Sequence, residues 1–153
     1  MSTAAALIAR TSPGMASTNN PLNSIIETEF SEPLNPATVT TANYGVYLFG
    51  TGTAIPGTLS LRNGNRTIRV VPEANLQSGA YYYVYLQAGL QDAQGTPFAA
   101  TNYYFYVGTD SDITTPTVTA VAPVGGSLNV GINAAIRVTF SEPISPLSEL
   151  HIR

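Results

Sequence analysis

The stretch LQSGAYYYVYLQ, which runs from Leu76 to Gln87, alternates in the way that a half-buried β-strand requires. Successive side chains of a strand point to opposite faces of the sheet. One face should point into a core and consists of Tyr82, Val84 and Leu86. The other should point outward and consists of Tyr81, Tyr83 and Tyr85. The same alternation from Asn102 to Gly108 predicts Phe105 and Val107 inside, and Tyr104 and Tyr106 outside.

The beginning of the stretch has the pattern L-x-x-G-x-x-Y, formed by Leu76, Gly79 and Tyr82. Leu76 is expected to close one end of the core, and Gly79 to allow a backbone turn that other residues resist. Tyr82 is expected to bury its ring while its hydroxyl reaches a backbone group at the corner between two strands. The pattern therefore predicts a structural motif.

Further short segments rich in aromatic and β-branched residues predict additional strands. They are Ser24–Phe30, Gly45–Phe49, Ile55–Leu61, Arg66–Val71 and Asn102–Gly108. The dipeptide Asn63-Gly64 between two of them is a strong hairpin signal. Asn35 to Thr40 predicts a single helical turn, and no long segment has a helical period. About seven short strands at this spacing indicate an all-β fold, an antiparallel β-sandwich.

The phrase FSEPLNP, Phe30 to Pro36, returns as FSEPISP, Phe140 to Pro146. Phe140 lies 110 positions after Phe30, and the same offset aligns Ile136 with Ile26 and Asn133 with Asn23. A period near 110 residues is the size of one immunoglobulin-like domain. The sequence therefore predicts three parts: a complete repeat at residues 5–108, a linker at 109–116 and the first two strands of a truncated second repeat at 117–153.

Four features in order resemble the bacterial Ig-like repeats of the SbsA type, known from S-layer and other cell-surface proteins. They are Ser12-Pro13-Gly14, the FSEP strand end, L-x-x-G-x-x-Y, and GLQDAQGTPF from Gly89 to Phe98. The resemblance covers the first repeat and the first third of the second. It implies an immunoglobulin-like sandwich at the bacterial cell surface or outside the cell. Thr96 stands where such repeats often have Asn, which weakens any role inherited for the Asp92 loop.

The five outward tyrosines admit two interpretations. Aromatic pairs across strands stabilise a sheet by about 0.2 to 1 kcal/mol each, with their hydroxyls in water. A flat amphipathic aromatic face is also a docking surface for a neighbouring module, a second subunit or a sugar ring. The sequence leaves both open and marks Tyr81, Tyr83, Tyr85, Tyr104 and Tyr106 as a candidate interaction surface.

The two FSEP phrases predict the same structural motif, formed by Phe30, Glu32 and Pro33 and by Phe140, Glu142 and Pro143. The phenylalanine should enter the core, the glutamate should accept hydrogen bonds from nearby backbone amides, and the proline should end the strand. A calcium site is the alternative, because hard cations bind clustered carboxylates. Its candidate ligands are Glu32 with Asp92, or Asp110 with Asp112. No cofactor is required, and calcium is a possible one.

Several functions are not expected. The only His is His151 and Cys is absent, which leaves no nucleophile and base pair of the usual kinds. Glu27 and Glu29 share one strand face, which we interpret as a solvated surface and not as a glycosidase pair. Six basic residues, all Arg, form no basic patch for nucleic acid. No apolar run approaches the roughly 20 residues that cross a bilayer.

The sequence therefore predicts a non-catalytic structural or spacer module of a bacterial surface or secreted repeat protein. Its expected partners are neighbouring Ig-like repeats or copies of itself, since the second repeat's two strands would suit self-assembly by strand addition. The alternative is a binding module that uses the tyrosine face for a glycan or a protein. The N-terminal MSTAAALIAR lacks a basic start and a long apolar region, so no export signal is expected in this chain.

Overall fold

The computed structural model describes residues 6–142 and 144. The chain divides into two compact units, Met1–Asp112 and Ile113–Arg153. The described residues form nine strands and one 3-10 turn, Pro36–Thr38. The strands are β1 (Ile8–Ser12), β2 (Ile26–Phe30), β3 (Tyr44–Leu48), β4 (Gly57–Arg62), β5 (Thr67–Pro72), β6 (Tyr81–Leu86), β7 (Thr101–Tyr106), β8 (Val118–Ala122) and β9 (Arg137–Phe140).

The first unit contains two antiparallel sheets. One has the strand order β1-β2-β5-β4 and the other β3-β6-β7. All the strands predicted above are present, with ends that differ by one or two residues. The first strand, β1, is not among the segments that the sequence singled out. The predicted helical turn is present as the short 3-10 turn, which Asn35 caps by accepting the Ala37 N–H.

The β4–β5 hairpin forms where Asn-Gly predicts it. Its strands pair from Gly57↔Pro72 to Arg62↔Thr67. Asn63, Gly64 and Asn65 all have positive φ, between 52° and 64°. Asn and Gly are the residues that adopt this left-handed backbone most easily, so the local sequence fixes the turn and the turn fixes the register.

The core lies between the two sheets and is built from their inward faces. Ile26 and Phe30 of β2 are buried, as are Val84 and Leu86 of β6. Phe30 packs edge to face on Phe98, with 5.2 Å between ring centroids. The inward positions predicted for Tyr82, Val84 and Leu86 and for Phe105 and Val107 are confirmed, because the period of two is a property of the backbone itself.

Both edges of the three-stranded sheet are covered within the first unit. The segment after β1 runs beside β7, where the Ala16 N–H donates to Tyr104 O and the Tyr106 N–H donates to Ser17 O. On the other edge, the Ile55 N–H donates to Val46 O of β3. Among the residues that the structure describes, β1 and β4 are the terminal strands of the four-stranded sheet.

The second unit contains the antiparallel hairpin β8–β9, which repeats β1–β2. Ile8↔Phe30 becomes Val118↔Phe140, and both hairpins contain one register irregularity at the equivalent place. Val118 and Val121 of β8 are exposed, and Val138 and Phe140 of β9 are partly exposed. Ile136, just before β9, is 79% exposed, whereas its equivalent Ile26 is 0%. The described part of the second unit is therefore a sandwich face without its opposing sheet.

Residues 109–112 of the predicted linker are bound to the first unit. The Leu22 N–H donates to Asp110 O at 3.0 Å. The Asn23 side chain donates to Asp112 O and accepts the Asp112 N–H, at 2.6 and 2.9 Å. The boundary between the compact units accordingly falls after Asp112.

Candidate interaction surface

The outer face of the β3-β6-β7 sheet carries the predicted tyrosines. Tyr81, Tyr85 and Tyr104 are 48%, 37% and 42% exposed, and Tyr83 and Tyr106 are partly exposed. Tyr82 and Phe105, their neighbours in sequence, are buried. The predicted orientation of all five tyrosines is confirmed.

Two further aromatic residues, Tyr47 and Phe49, belong to the same face. Phe49 is 66% exposed, and its N–H donates to Tyr81 O just beyond the end of β3. They were not predicted as part of this face, although the alternation of Gly45, Tyr47 and Phe49 with Val46 and Leu48 contained the signal. Seven aromatic rings, hereafter the aromatic face, therefore share one side of the sheet.

Strand register arranges the aromatic face in three rows. The first row is Gly45, Tyr85 and Asn102, the second is Tyr47, Tyr83 and Tyr104, and the third is Phe49, Tyr81 and Tyr106. None of these nine side-chain positions carries a formal charge at neutral pH. Aromatic rings on adjacent strands prefer edge-to-face or offset contacts.

The rings contact one another continuously across the rows. Tyr47 meets Tyr85 edge to face with centroids 5.4 Å apart, and Tyr83 stacks on Tyr85 at 6.0 Å. Tyr83 is also 5.7 Å from Tyr104, and Tyr81 lies 4.8 Å from Tyr106. Each ring therefore limits the rotamers of its neighbours.

Gly45 provides the space that Tyr47 occupies. A Cβ atom at position 45 would lie 2.7 Å from Cε2 of Tyr47, closer than carbon atoms approach without displacement. The Tyr47 ring therefore covers the backbone at Gly45, where a side chain is missing from the first row. Any larger residue at position 45 would move the Tyr47 ring and the Tyr85 ring that contacts it.

The L-x-x-G-x-x-Y motif holds the beginning of β6. Tyr82 buries its ring and its hydroxyl accepts the Gln77 N–H at 2.8 Å. Gly79 has a φ of 67°, and Leu76 is buried. The expected geometry of these residues is confirmed, and it fixes the strand that supplies Tyr81, Tyr83 and Tyr85.

The FSEP phrases have a different arrangement from the expected one. Phe30 is buried, but Glu32 lies 3.7 Å from Nη2 of Arg66, and no hydrogen bond of the described residues brings a backbone amide to its carboxylate. In the second unit, Glu142 accepts a hydrogen bond from Thr114 Oγ1, and Phe140 is partly exposed. The amide-binding role assigned to Glu32 was wrong. The role predicted for Pro143 lies outside the described residues.

The candidate calcium ligands are placed in different local structures. Asp92 is buried and one carboxylate oxygen accepts the N–H groups of Gln94 and Thr96, at 2.9 and 2.8 Å. Asp110 accepts the Thr109 hydroxyl. Within residues 6–142 and 144, no three His, Cys, Asp or Glu residues form a group that could hold a metal ion. The geometry of the described residues gives calcium no formed site.

The expected solvated role of Glu27 and Glu29 was wrong. Both side chains are only 12% exposed, because each pairs with an arginine on a neighbouring strand. The Arg10 Nε–H donates to Glu29 at 2.7 Å, and Nη1 of Arg69 lies 3.6 Å from Glu27. Arg10 lies in β1, a strand that was not predicted from the sequence. The ion pair of Glu29 with Arg10 could therefore not be predicted.

A polar cluster that the sequence did not reveal lies inside the core. Oγ1 of Thr28 in β2 is within hydrogen-bond distance of the hydroxyls of Tyr44 in β3 and Tyr103 in β7, at 2.6 and 2.7 Å. All three residues are buried. These contacts join the two sheets, and we call the three residues the hydroxyl triad.

Burial changes the acidity of the two phenols in the triad. Burial raises the pKa of Tyr103 to about 12, although its hydrogen bonds with Thr28 and Tyr44 oppose the change. Burial is the main cause that raises the pKa of Tyr44 well above its ordinary value. The charge on a nearby ionised Tyr103 is the second cause and acts in the same direction. Both groups therefore remain neutral and bonded to Thr28 at physiological pH.

The two sheets, with orders β1-β2-β5-β4 and β3-β6-β7, have the arrangement of a constant-type immunoglobulin sandwich. Tyr82 occupies the position of the tyrosine corner in that class. The bacterial Ig-like domain family matches residues 2–107 and again 112–151. The chain belongs to this family.

Solved structures share the fold at low identity. The S-layer protein SbsC is 19% identical with a TM-score of 0.54, over 76% of this chain but only 15% of SbsC. PcoC, a methionine-rich copper resistance protein from Escherichia coli, is 17% identical with a TM-score of 0.56, over 68% of this chain and 99% of PcoC. No curated protein sequence matches. The described residues contain no helix with the length and apolarity needed to cross a membrane.

Proposed function

We propose that this chain is a non-catalytic structural module of a bacterial surface or secreted repeat protein, where it acts as a spacer and assembly unit. The observation that carries the proposal is the second family match at residues 112–151, with a hairpin that repeats β1–β2. Tandem modules of one fold are the usual construction of spacers, because each adds a fixed length. Similarity of fold to the surface-layer protein SbsC agrees with this role.

The chemistry of the described side chains favours a role without catalysis. The acidic residues with the most buried side chains, Glu27, Glu29 and Asp92, are each engaged by an arginine or by backbone amides. The copper role in the name of PcoC is not carried over, because this chain has two Met and one His in 153 residues. A metal site also has no formed group of ligands among residues 6–142 and 144.

The exposed hairpin of the second unit is the element that supports self-assembly. Val118, Val121 and Ile136 are 45% to 79% exposed, whereas strands of the same kind in the first unit face a core. The free edge of β9 corresponds to the edge of β2 that pairs with β5. A second copy of this chain, offering an open strand such as β4, would satisfy that edge by strand addition.

Light scattering after size-exclusion chromatography tests the assembly. We expect the intact chain to form concentration-dependent oligomers, and Val138→Glu to abolish them because it places a charge on the inward face of β9. Thr139→Glu puts the same charge on the exposed outer face of that strand and serves as the control. Oligomers that persist in Val138→Glu, or a wild-type chain that stays monomeric at all concentrations, would contradict assembly through this hairpin.

A binding module is the second candidate function, and the aromatic face favours it. Its seven contacting rings form an uncharged, amphipathic platform on which a sugar ring or an apolar protein surface would stack. Tyr83 and Tyr104 lie beside each other in the middle row. Replacing both with Ser should abolish binding to a panel of soluble oligosaccharides, while the melting temperature changes little.

The control for the binding experiment is the double variant Thr58→Ala and Ser60→Ala on β4, at the edge of the other sheet. Binding that survives in the tyrosine variant would refute a ligand role for the aromatic face. A large fall in melting temperature without any ligand would instead support the purely structural role of the rings.

A further inference from the structure

The β8–β9 hairpin has the local geometry needed to replace β1–β2. In both hairpins a serine after the second strand, Ser31 or Ser141, exchanges two hydrogen bonds with the residue just before the first strand, Leu7 or Thr117. Its hydroxyl accepts the backbone N–H of that residue, and its own N–H donates to the backbone carbonyl of the same residue. The register irregularity occurs between Ile8 and Arg10 in one hairpin and between Val118 and Ala120 in the other. The two hairpins are therefore nearly interchangeable in backbone structure.

The core-facing positions of β2 and β9 differ in one chemical group. Ile26 and Phe30 have the identical equivalents Ile136 and Phe140, but Thr28 is replaced by Val138. Valine and threonine have almost the same shape, so Val138 would fit where Thr28 lies. Val138, however, has no hydroxyl that could form a hydrogen bond. For this reason valine and threonine are not equivalent inside a core.

We propose that the hydroxyl triad is a specificity device by which the first repeat selects its own β1–β2 hairpin over the β8–β9 hairpin of a following repeat. With β9 in place of β2, the hydroxyls of Tyr44 and Tyr103 would lose the Thr28 hydroxyl that binds both of them. The buried phenols would have only each other, and a buried polar group without its partner is costly. Exchange of hairpins between copies is thereby disfavoured.

The device matters because the chain contains two hairpins of the same pattern. Exchange between similar repeats is a characteristic failure of multidomain and repeat proteins. Charge on the outer face provides a second difference, since Glu27 and Glu29 correspond to Arg137 and Thr139. Glu27 and Glu29 are paired with arginines and their side chains are 12% exposed. Thr28 is fully buried and contacts both tyrosines directly.

Refolding of the full chain tests the proposal. Chains are unfolded in denaturant, refolded at high protein concentration, and the fraction of exchanged dimer is measured by light scattering. Val138→Thr gives the second hairpin the missing hydroxyl, and we expect the dimer fraction to rise roughly tenfold, the factor that corresponds to one recovered hydrogen bond. Val124→Thr makes the same change at an exposed position and should refold like wild type.

Substitutions of Thr28 test the same preference in the native hairpin. Thr28→Val removes the preference for the native hairpin and should also raise the dimer fraction, whereas Thr28→Ser keeps the hydroxyl and should not. Exchange of hairpins between copies requires the chain to unfold first. Dimers that form in protein that was never unfolded are therefore counted as strand addition and not as exchange. The proposal is overturned if Val138→Thr refolds with the wild-type dimer fraction, or if Val124→Thr raises it equally.

Discussion

Alkaline pH should destabilise the first unit through the hydroxyl triad. Tyr103 has a pKa of about 12 in the folded chain, against 10.0 for an ordinary tyrosine. Below pH 10 the phenol is protonated in both the folded and the unfolded chain, so its contribution is complete. Between pH 10 and pH 12 the unfolded chain releases the proton and the folded chain retains it, and the free energy of unfolding falls.

The size of this loss follows from the two pKa values. A difference of about 2 pH units corresponds to about 3 kcal/mol for Tyr103 alone. Tyr44 adds to it, because burial also raises its pKa. A domain of this size has a free energy of unfolding of about 5 to 15 kcal/mol, so the loss is a large fraction of the total.

Chemical denaturation at a series of pH values measures the effect. We expect the free energy of unfolding to fall from pH 10 to pH 12, and the fall to be smaller in Tyr103→Phe, although that variant is about 1 kcal/mol less stable at neutral pH. Tyr104→Phe changes the next residue, which is exposed, and should leave the profile unchanged. A wild-type stability that is constant to pH 12, or equal profiles for wild type and Tyr103→Phe, would refute the reasoning.

Three further outcomes are expected. Tyr82→Phe removes the acceptor of the Gln77 N–H and should lower the free energy of unfolding by about 1 to 3 kcal/mol in urea, whereas Tyr83→Phe should have little effect. Gly79→Ala imposes a side chain at a φ of 67° and should cost about 1 to 2 kcal/mol. A small change is expected for Gly14→Ala, where a Cβ would make only ordinary contacts with Ser17. A chelator should leave the melting temperature unchanged, and a shift reversed by calcium would contradict that expectation.

Strands and their inward faces could be predicted because they depend on a period of two in the local sequence. The Asn63-Gly64 turn and the Tyr82 corner were predictable for the same reason, since each depends on residues close together in the chain. The same rule, applied to Gly45–Phe49, would also have added Tyr47 and Phe49 to the aromatic face. Local pattern was therefore sufficient for the aromatic face.

The triad and the ion pairs could not be predicted, because they depend on which strands become neighbours. Thr28 is an unremarkable β-branched residue in sequence, and its hydroxyl has a role only because β3 and β7 pack opposite β2. The ion pair of Glu29 could not be predicted either, because its partner Arg10 lies 19 residues earlier, in a strand with a weak sequence pattern. Long-range partners follow from topology, which a single sequence constrains only through analogy with known folds.

The connection between the repeats is shorter than the composition of TDSDITTP suggested. Asn23 binds both backbone groups of Asp112, and Thr114 is already bonded to Glu142 of the second unit. Ile113 is the single residue between these anchored positions. Residues on both sides of Ile113 are held within their own units, which leaves a short connection of the kind that the proposed spacer role favours.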